Sequence, residues 1–285
     1  MTYCVGMRLN DGLVFLSDSR TNAGVDQIST YRKMTVFEHP GERLMVLLSA
    51  GNLAITQAVQ QIVCERLAPG ETSLWNANLM LQAVRVVGDA VREVYARDAP
   101  ALKEAGIEFN CSFIFGGQIR GESMRLFHVY AAGNFIEATA ENPYFQIGEA
   151  KYGKPIIDRV ISPSTSLGEA AKCALISMDS TLRSNISVGM PLDLLVYEAD
   201  QLRVTKFVQI DQDNEYMLMI RNTWGARLRQ VFSEIPDPTW REALAPAQAP
   251  RLETASCAPV RAPLPAGVQT EQRPGLPFQL VAQDS

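Results

Sequence analysis

The opening hairpin constrains the fold of this chain more than any other segment. Residues 2–9 alternate in character, Asn10-Asp11-Gly12 supplies a turn, and Leu13-Val14-Phe15-Leu16 resumes a strand. A three-residue loop with Gly12 in the left-handed position predicts that Leu9 pairs with Leu13, Cys4 with Asp18 and Thr2 with Arg20. Directly opposed residues share a sheet face, so Asp18 is expected on the face of Thr2, one diagonal step away. A two-residue loop would turn Asp18 to the other face. The register matters because of what stands at the strand's start. A small side chain after the initiator methionine is what methionine aminopeptidase accepts, so the mature chain is expected to begin at Thr2. An N-terminal threonine carries a hydroxyl nucleophile and a free α-amine on one residue. With a reference pKa of about 8, that amine can act as general base for its own hydroxyl. A second-position threonine alone is an ordinary chain start, and the functional reading rests on its neighbours.

Beyond the hairpin, a strand is expected at Lys33–Phe37, broken by His39-Pro40-Gly41-Glu42. The apolar run Leu44–Leu48 reads as a strand buried on both sides, ending at Ser49-Ala50-Gly51. Two helices follow, the first with Ile55, Val59, Ile62, Val63 and Leu67 on one face and the second with Met80, Val84, Val87, Val91 and Val94. Strands return at Cys111–Ile119 and Met124–Tyr130, and another begins at Phe135. Helices are expected near 151–161 and at 166–183, the latter opened by the capping box Ser166-x-x-Glu169. Leu192–Tyr197 and Leu202–Gln209 form a late hairpin, and a last helix covers about 213–233. The order of strands and helices suits an α+β sandwich, two antiparallel sheets packed face to face with helices outside, rather than a wound βαβ fold.

At 285 residues, with 47% apolar and 20% charged residues, the chain has the composition of an ordinary globular protein. A formal charge of −5 argues against nucleic acid or an anionic membrane as the main partner. The five cysteines, Cys4, Cys64, Cys111, Cys173 and Cys257, are dispersed and form no CxxC, a pattern of reduced thiols in a cytoplasmic protein. No basic-then-apolar leader precedes Thr2, and no apolar run reaches ~18 residues, so neither export nor a membrane span is expected. His39 and His128 have no acidic or thiol neighbours at ligand spacing, and Gly116-Gly117 lacks the Lys-Ser/Thr of a phosphate loop, so neither metal nor cofactor is expected. Trp75, Trp224 and Trp240 read as packing or interface residues. From about 242 onward prolines 246, 250, 259, 263, 265, 274 and 277 crowd among Ala, Gln and Arg. That density excludes helix or strand interiors, giving a domain over 2–241 and a disordered tail over 242–285.

Thr2, Asp18, Lys33, the Ser49-Ala50-Gly51 turn and the segment Arg183-Ser184-Asn185-Ile186-Ser187-Val188-Gly189 together carry a family resemblance. The chain resembles the proteasome-type β-subunits, which are N-terminal-nucleophile hydrolases, and is most similar to their bacterial Anbu branch. The likeness runs from Thr2 to about residue 235 and is most specific over TYCVGMRLNDGLVFLSDSRTNAG. It implies a four-layer αββα sandwich and a threonine peptidase that acts through an ester on Thr2. Lys33 would then stand beside the Thr2 amine, Asp18 would hold Lys33, the Gly51 N–H would meet the oxyanion, and Ser187 would lie near the amine. Ser49 would fall at the specificity-pocket position.

The sequence also departs from the family's pattern. The interval from Asp18 to Lys33 is one residue short, which leaves Arg32 as a second candidate cation. Ser184 stands where the family has an aspartate, and Gly148-Glu149-Ala150 replaces a glycine-serine-glycine turn. An anion at Glu149 should raise the amine's pKa, which implies weak or selective activity. The resemblance also implies a homo-oligomeric ring or open spiral, with the helix layers as contacts and peptides or unfolded segments as substrate. It leaves open whether an ATP-dependent unfoldase docks. A poorly active scaffold and a small-molecule amidase are the rival readings.

Overall fold

Two five-stranded antiparallel sheets carry the start of the chain and the residues around it. The computed structural model describes residues 2–23, 27–66 and 70–239. Met1, Leu67, Trp240, Cys257 and the expected tail lie outside them. Met1–Ile235 form one compact unit, and a second unit begins at Pro236.

The first sheet has the order β10-β1-β2-β11-β12. It comprises β1 (Tyr3–Leu9), β2 (Gly12–Asp18), β10 (Tyr144–Gly148), β11 (Leu192–Glu198) and β12 (Lys206–Ile210). The second has the order β5-β6-β7-β8-β9. Its strands are β5 (Met34–His39), β6 (Arg43–Gly51), β7 (Cys111–Ile119), β8 (Arg125–Val129) and β9 (Phe135–Glu137). A short ribbon of β3 (Arg20–Ala23) and β4 (Gln27–Thr30) lies between the two sheets in sequence.

The helices fall near the expected positions: α1 (Leu53–Glu65), α2 (Met80–Glu104), α3 (Lys154–Val160) after a 3₁₀ turn, α4 (Leu167–Ser184) and α5 (Glu215–Glu234). The Ser166–Glu169 capping box is present at the start of α4, where it satisfies backbone donors at the helix end.

Three apolar clusters hold these elements together. In one, Ile55, Val59, Val63, Val84, Val87, Val91 and Val94 of α1 and α2 pack on Met45, Leu47, Phe113, Phe115 and Phe127 of the second sheet. In another, Cys173, Ala174 and Met178 of α4 pack on Tyr3, Val5, Met7, Val14 and Leu16 of the first. The third joins both sheets, with Cys4, Leu13 and Phe15 against Leu44, Val46, Leu48, Ile114 and Leu126. The helical spacing of three and four and the strand spacing of two are thus each spent on one buried face. The molecule is α+β with antiparallel sheets.

The hairpin register differs from the expectation. Leu9 pairs with Gly12 and Cys4 with Ser17, so the loop has two residues, Asn10 and Asp11. Tertiary contacts decide this over local turn preference. The Asn10 N–H donates to the Pro163 carbonyl at 2.8 Å, and the Asp11 carbonyl accepts from the Ala199 N–H at 2.9 Å. Gly12 is used inside β2, where a Cβ would overlap the Tyr197 carbonyl oxygen of β11. Asp18 is therefore level with Tyr3, on the face opposite to that of Thr2.

Smaller corrections follow the same logic. Gly51 ends β6 rather than lying in a turn beyond it, and His39 ends β5. The late hairpin's second strand begins only at Lys206, because Leu202 and Asp200 take positive φ in a long connection. Leu202 N–H donates to Tyr197 Oη and Asp200 N–H to Gln118.

Candidate functional site

Asp18 ends β2 with its side chain fully buried, and its carboxylate gathers three donors from separate parts of the chain. Oδ1 accepts from the Tyr3 backbone N–H at 3.0 Å and from Lys33 Nζ at 2.7 Å. Oδ2 accepts from the Gly189 N–H at 3.2 Å. Burial pushes the Asp18 carboxyl up, while the Lys33 ammonium and the two N–H donors pull it back. Charge-assisted contacts of this kind are the strong ones.

Lys33 stands one residue before β5 and is buried, its side chain 6% exposed. Besides Asp18, its ammonium donates to the Arg20 carbonyl at 2.6 Å. The neighbouring Arg32 is exposed, so the shortened interval leaves Lys33 as the residue that turns inward. Arg20 in turn donates from Nη1 to the Ile186 carbonyl at 2.8 Å. That bond and the Gly189–Asp18 bond tie the loop after α4 to the end of β2. Ser187 is half-buried on this loop, with its backbone N–H held by Asn185 Oδ1 at 2.9 Å.

Thr2 is 8% exposed and continues into β1. Its carbonyl accepts from the Glu149 N–H at 2.7 Å, and a Cβ at Gly148 would overlap it. The end of β10 thus needs a glycine in order to approach the first residues of the chain closely. Thr2, Ala50, Gly51, Asn110, Ser112, Gly148 and Glu149 line a cavity of about 470 Å³. Gly51 has a φ of +114°, and a Cβ there would overlap the Asn110 carbonyl oxygen, so this wall of the cavity is bare backbone.

The structure therefore brings Thr2 and Gly51 to one cavity, and Asp18 and Lys33 to the peptide bond that follows Thr2. Ser187 is held on the loop that Asp18 gathers. Ser49 does not line this cavity: it is buried beneath Gln60, whose Nε2 donates to its hydroxyl at 3.4 Å. Glu149 is on the cavity wall, with Lys151 Nζ at 3.6 Å from its carboxylate. The sequence reading gave no site role to Arg20, which meets Lys33 through its carbonyl and Ile186 through its guanidinium, to Gly189, which acts through its N–H, or to Asn110 and Ser112. Backbone groups leave no residue-type signal. Among the described residues no group of His, Cys, Asp and Glu could hold a metal ion.

No protein-family model and no curated protein matches the chain. Solved structures do. Anbu (ancestral beta-subunit) from Yersinia bercovieri is 53% identical, with a TM-score of 0.79, over 84% of this chain and 100% of that one. The Anbu (Gly-1) mutant from Hyphomicrobium sp. strain MC1 is 54% identical, with a TM-score of 0.79 and the same coverage. The structure described as a helical assembly of the Anbu complex from Pseudomonas aeruginosa is 48% identical, with a TM-score of 0.79, over 83% of this chain and 98% of that one. Identity at this level over nearly the whole of each relative makes the chain a member of the Anbu family, the ancestral beta-subunit branch of proteasome-like proteins.

Proposed function

We propose that the chain is an N-terminal threonine hydrolase of proteasome type that cleaves amide bonds in peptides or unfolded segments. The observation that carries this is the single carboxylate oxygen, Asp18 Oδ1, that joins the N–H next to Thr2 to a buried Lys33 ammonium. A buried cation at this place favours the uncharged form of a nearby amine. The Thr2 amine then takes the proton of its own hydroxyl, and Oγ attacks the substrate carbonyl carbon. The Gly51 N–H donates to the resulting oxyanion, an interaction whose loss costs about 10²–10³ in rate. Collapse expels the leaving amine, which takes the proton from the Thr2 ammonium, and water hydrolyses the remaining ester. Ser187, two residues before Gly189, assists at the amine.

The three clusters of packed residues support a four-layer αββα arrangement. Self-association is supported by the assembly described for the Pseudomonas relative and by the exposed apolar residues of α5, among them Tyr216, Met219, Val231 and Phe232. Cys4, Cys64, Cys111 and Cys173 are free thiols, which supports a reducing, cytoplasmic setting. No described helix is long and apolar enough to cross a membrane.

Intact mass of the purified chain, followed by reaction with a threonine-directed epoxyketone, tests the proposal. Loss of Met1 and a single adduct that vanishes in Thr2→Ala are expected. Retained Met1, or an adduct that survives Thr2→Ala, overturns the reading in favour of a scaffold.

A further inference from the structure

A second polar group shares the Thr2 cavity and has no part in the chemistry above. Ala50 pairs with Ser112 across β6 and β7, one position before the Gly51–Cys111 pair. Ser112 is therefore on the wall that carries Gly51, facing the wall made by Thr2, Gly148 and Glu149. Behind it lies His128 of β8, whose Nε2 is 2.7 Å from Ser112 Oγ. The imidazole is fixed by its surroundings, 4.3 Å from the Tyr130 ring and 5.6 Å from that of Phe145 on β10. Burial pushes it below the ordinary histidine value, which keeps the ring neutral near pH 7.

A serine hydroxyl has one proton to give and two lone pairs to receive. His128 takes up one of these roles. If Ser112 donates to Nε2, its lone pairs remain for the cavity. If it accepts from Nε2–H, its own proton remains. In either tautomer the hydroxyl is held in one direction with hydrogen-bonding capacity left over, beside the cavity's reactive hydroxyl. A side chain fixed so by a partner outside the cavity is suited to meet a ligand without first losing rotamer freedom.

We propose that Ser112 is a substrate-contacting residue of the Thr2 cavity, recognising a main-chain amide group next to the scissile bond, and that His128 is its positioning residue. This rests on the reading of Thr2 as nucleophile. It adds a specificity element on the wall that carries Gly51, which Ala50 and Asn110 also line.

The experiment uses the full-length protein and a ladder of internally quenched peptides, lengthened one residue at a time on either side of the cleaved bond. Epoxyketone labelling of Thr2 is measured in parallel. Ser112→Ala is expected to raise KM about three- to tenfold, the size of one neutral hydrogen bond. The rise appears only for peptides long enough on one side to reach the residue, with kcat nearly unchanged. His128→Phe, which keeps the ring contacts, reproduces part of that rise. His128→Gln, which keeps a hydrogen-bonding group, and Ser112→Thr, which keeps the hydroxyl, restore wild-type values. Equal KM for Ser112→Ala and wild type at every length overturns the proposal while leaving the nucleophile in place. So does a uniform kcat loss in all four variants, which marks a structural role. An absence of cleavage in a chain whose Thr2 still labels also overturns it. Failure of Thr2 itself to label removes the foundation of both readings.

Discussion

Replacing Lys33 by methionine separates what the buried ion pair does for the fold from what it does for Thr2. The substitution keeps the stem and removes the ammonium, leaving Asp18 fully buried with two N–H donors, those of Tyr3 and Gly189. Breaking a buried pair from one side typically costs about 3–5 kcal/mol. Two features place this case near the lower end, at about 3 kcal/mol. The two backbone donors remain, and burial already pushes the Asp18 carboxyl up, so it can take a proton once the cation is gone. A domain with about 5–15 kcal/mol of stability survives such a loss.

The pH dependence has a definite sign. In Lys33→Met the folded Asp18 has a pKa above its unfolded value, so the folded state binds the proton more readily. The deficit relative to wild type is therefore largest near pH 7 and shrinks as pH falls towards the ordinary carboxylate range. Adding Asp18→Asn removes the stranded charge but sets an amide NH₂ against one of the two N–H donors. The double variant is thus expected to regain only part of the loss, on the order of 1 kcal/mol.

Urea melts across pH measure the stability arm, and the rate of epoxyketone adduct formation on Thr2 measures the other. That rate is expected to fall about 10²–10⁴-fold in Lys33→Met, the usual scale of a lost proton-transfer role, and to stay low in the double variant. Labelling of Lys33→Met at the wild-type rate would refute the assigned role. A stability deficit indifferent to both pH and Asp18→Asn would refute the description of the pair.

Gly51→Ala places a Cβ against the Asn110 carbonyl at a φ of +114°. A loss of about 1–3 kcal/mol is expected in urea melts, and unchanged stability would contradict the backbone geometry. Glu149→Ser removes an anion from the Thr2 cavity. The amine's pKa should fall, moving the inflection of the labelling rate to lower pH, and an unmoved inflection counts against Glu149 as a brake. Burial holds His128 below its ordinary 6.5, so the unfolded chain binds a proton that the folded one resists. Its share of stability is present above about pH 6.5 and is lost as pH falls through that value towards the lower folded pKa. His128→Phe should flatten this limb in urea midpoints taken between pH 7 and 5, and parallel curves for the two proteins would exclude the effect.

The elements with strong periodicity were legible in the sequence. The apolar spacing of α1 and α2, the Ser166–Glu169 cap and the buried run of β6 each depend on local chemistry, and each appears where it was expected. Short elements were not. The β3–β4 ribbon, β10 and the length of the β11–β12 connection are set by partners far along the chain, and no window of the sequence contains those partners. The site divides in the same way. Asp18 and Lys33 are charged residues that proved to be buried, and a buried pair is visible as two residue types. Gly189 and Thr2 meet their partners through backbone atoms, as Arg20 meets Lys33 through its carbonyl, and no residue type is required for such contacts.

The hairpin register shows why one error left the ion pair intact. A shift of one residue reverses every side chain in the middle of a strand, where both neighbours are paired and the face is fixed. Asp18, however, is the last residue of β2. Its carboxylate does not have to project from the sheet face, because it bends to the backbone N–H of Tyr3 in the adjacent strand and to that of Gly189, just before the start of β11. A short carboxylate at a strand terminus can reach the strand edge as readily as either face. Lys33, one residue before β5, has the same freedom and comes to meet it. An insertion of one residue between Asn10 and Gly12 would therefore disturb the Gly12–Tyr197 approach and the Pro163 and Ala199 hydrogen bonds first. If the pair is held by its termini, the Asp18–Lys33 contact and Thr2 labelling outlast a measurable loss of stability in that insertion variant. Loss of labelling in step with stability would mean that the register, and not the strand end, sets the site.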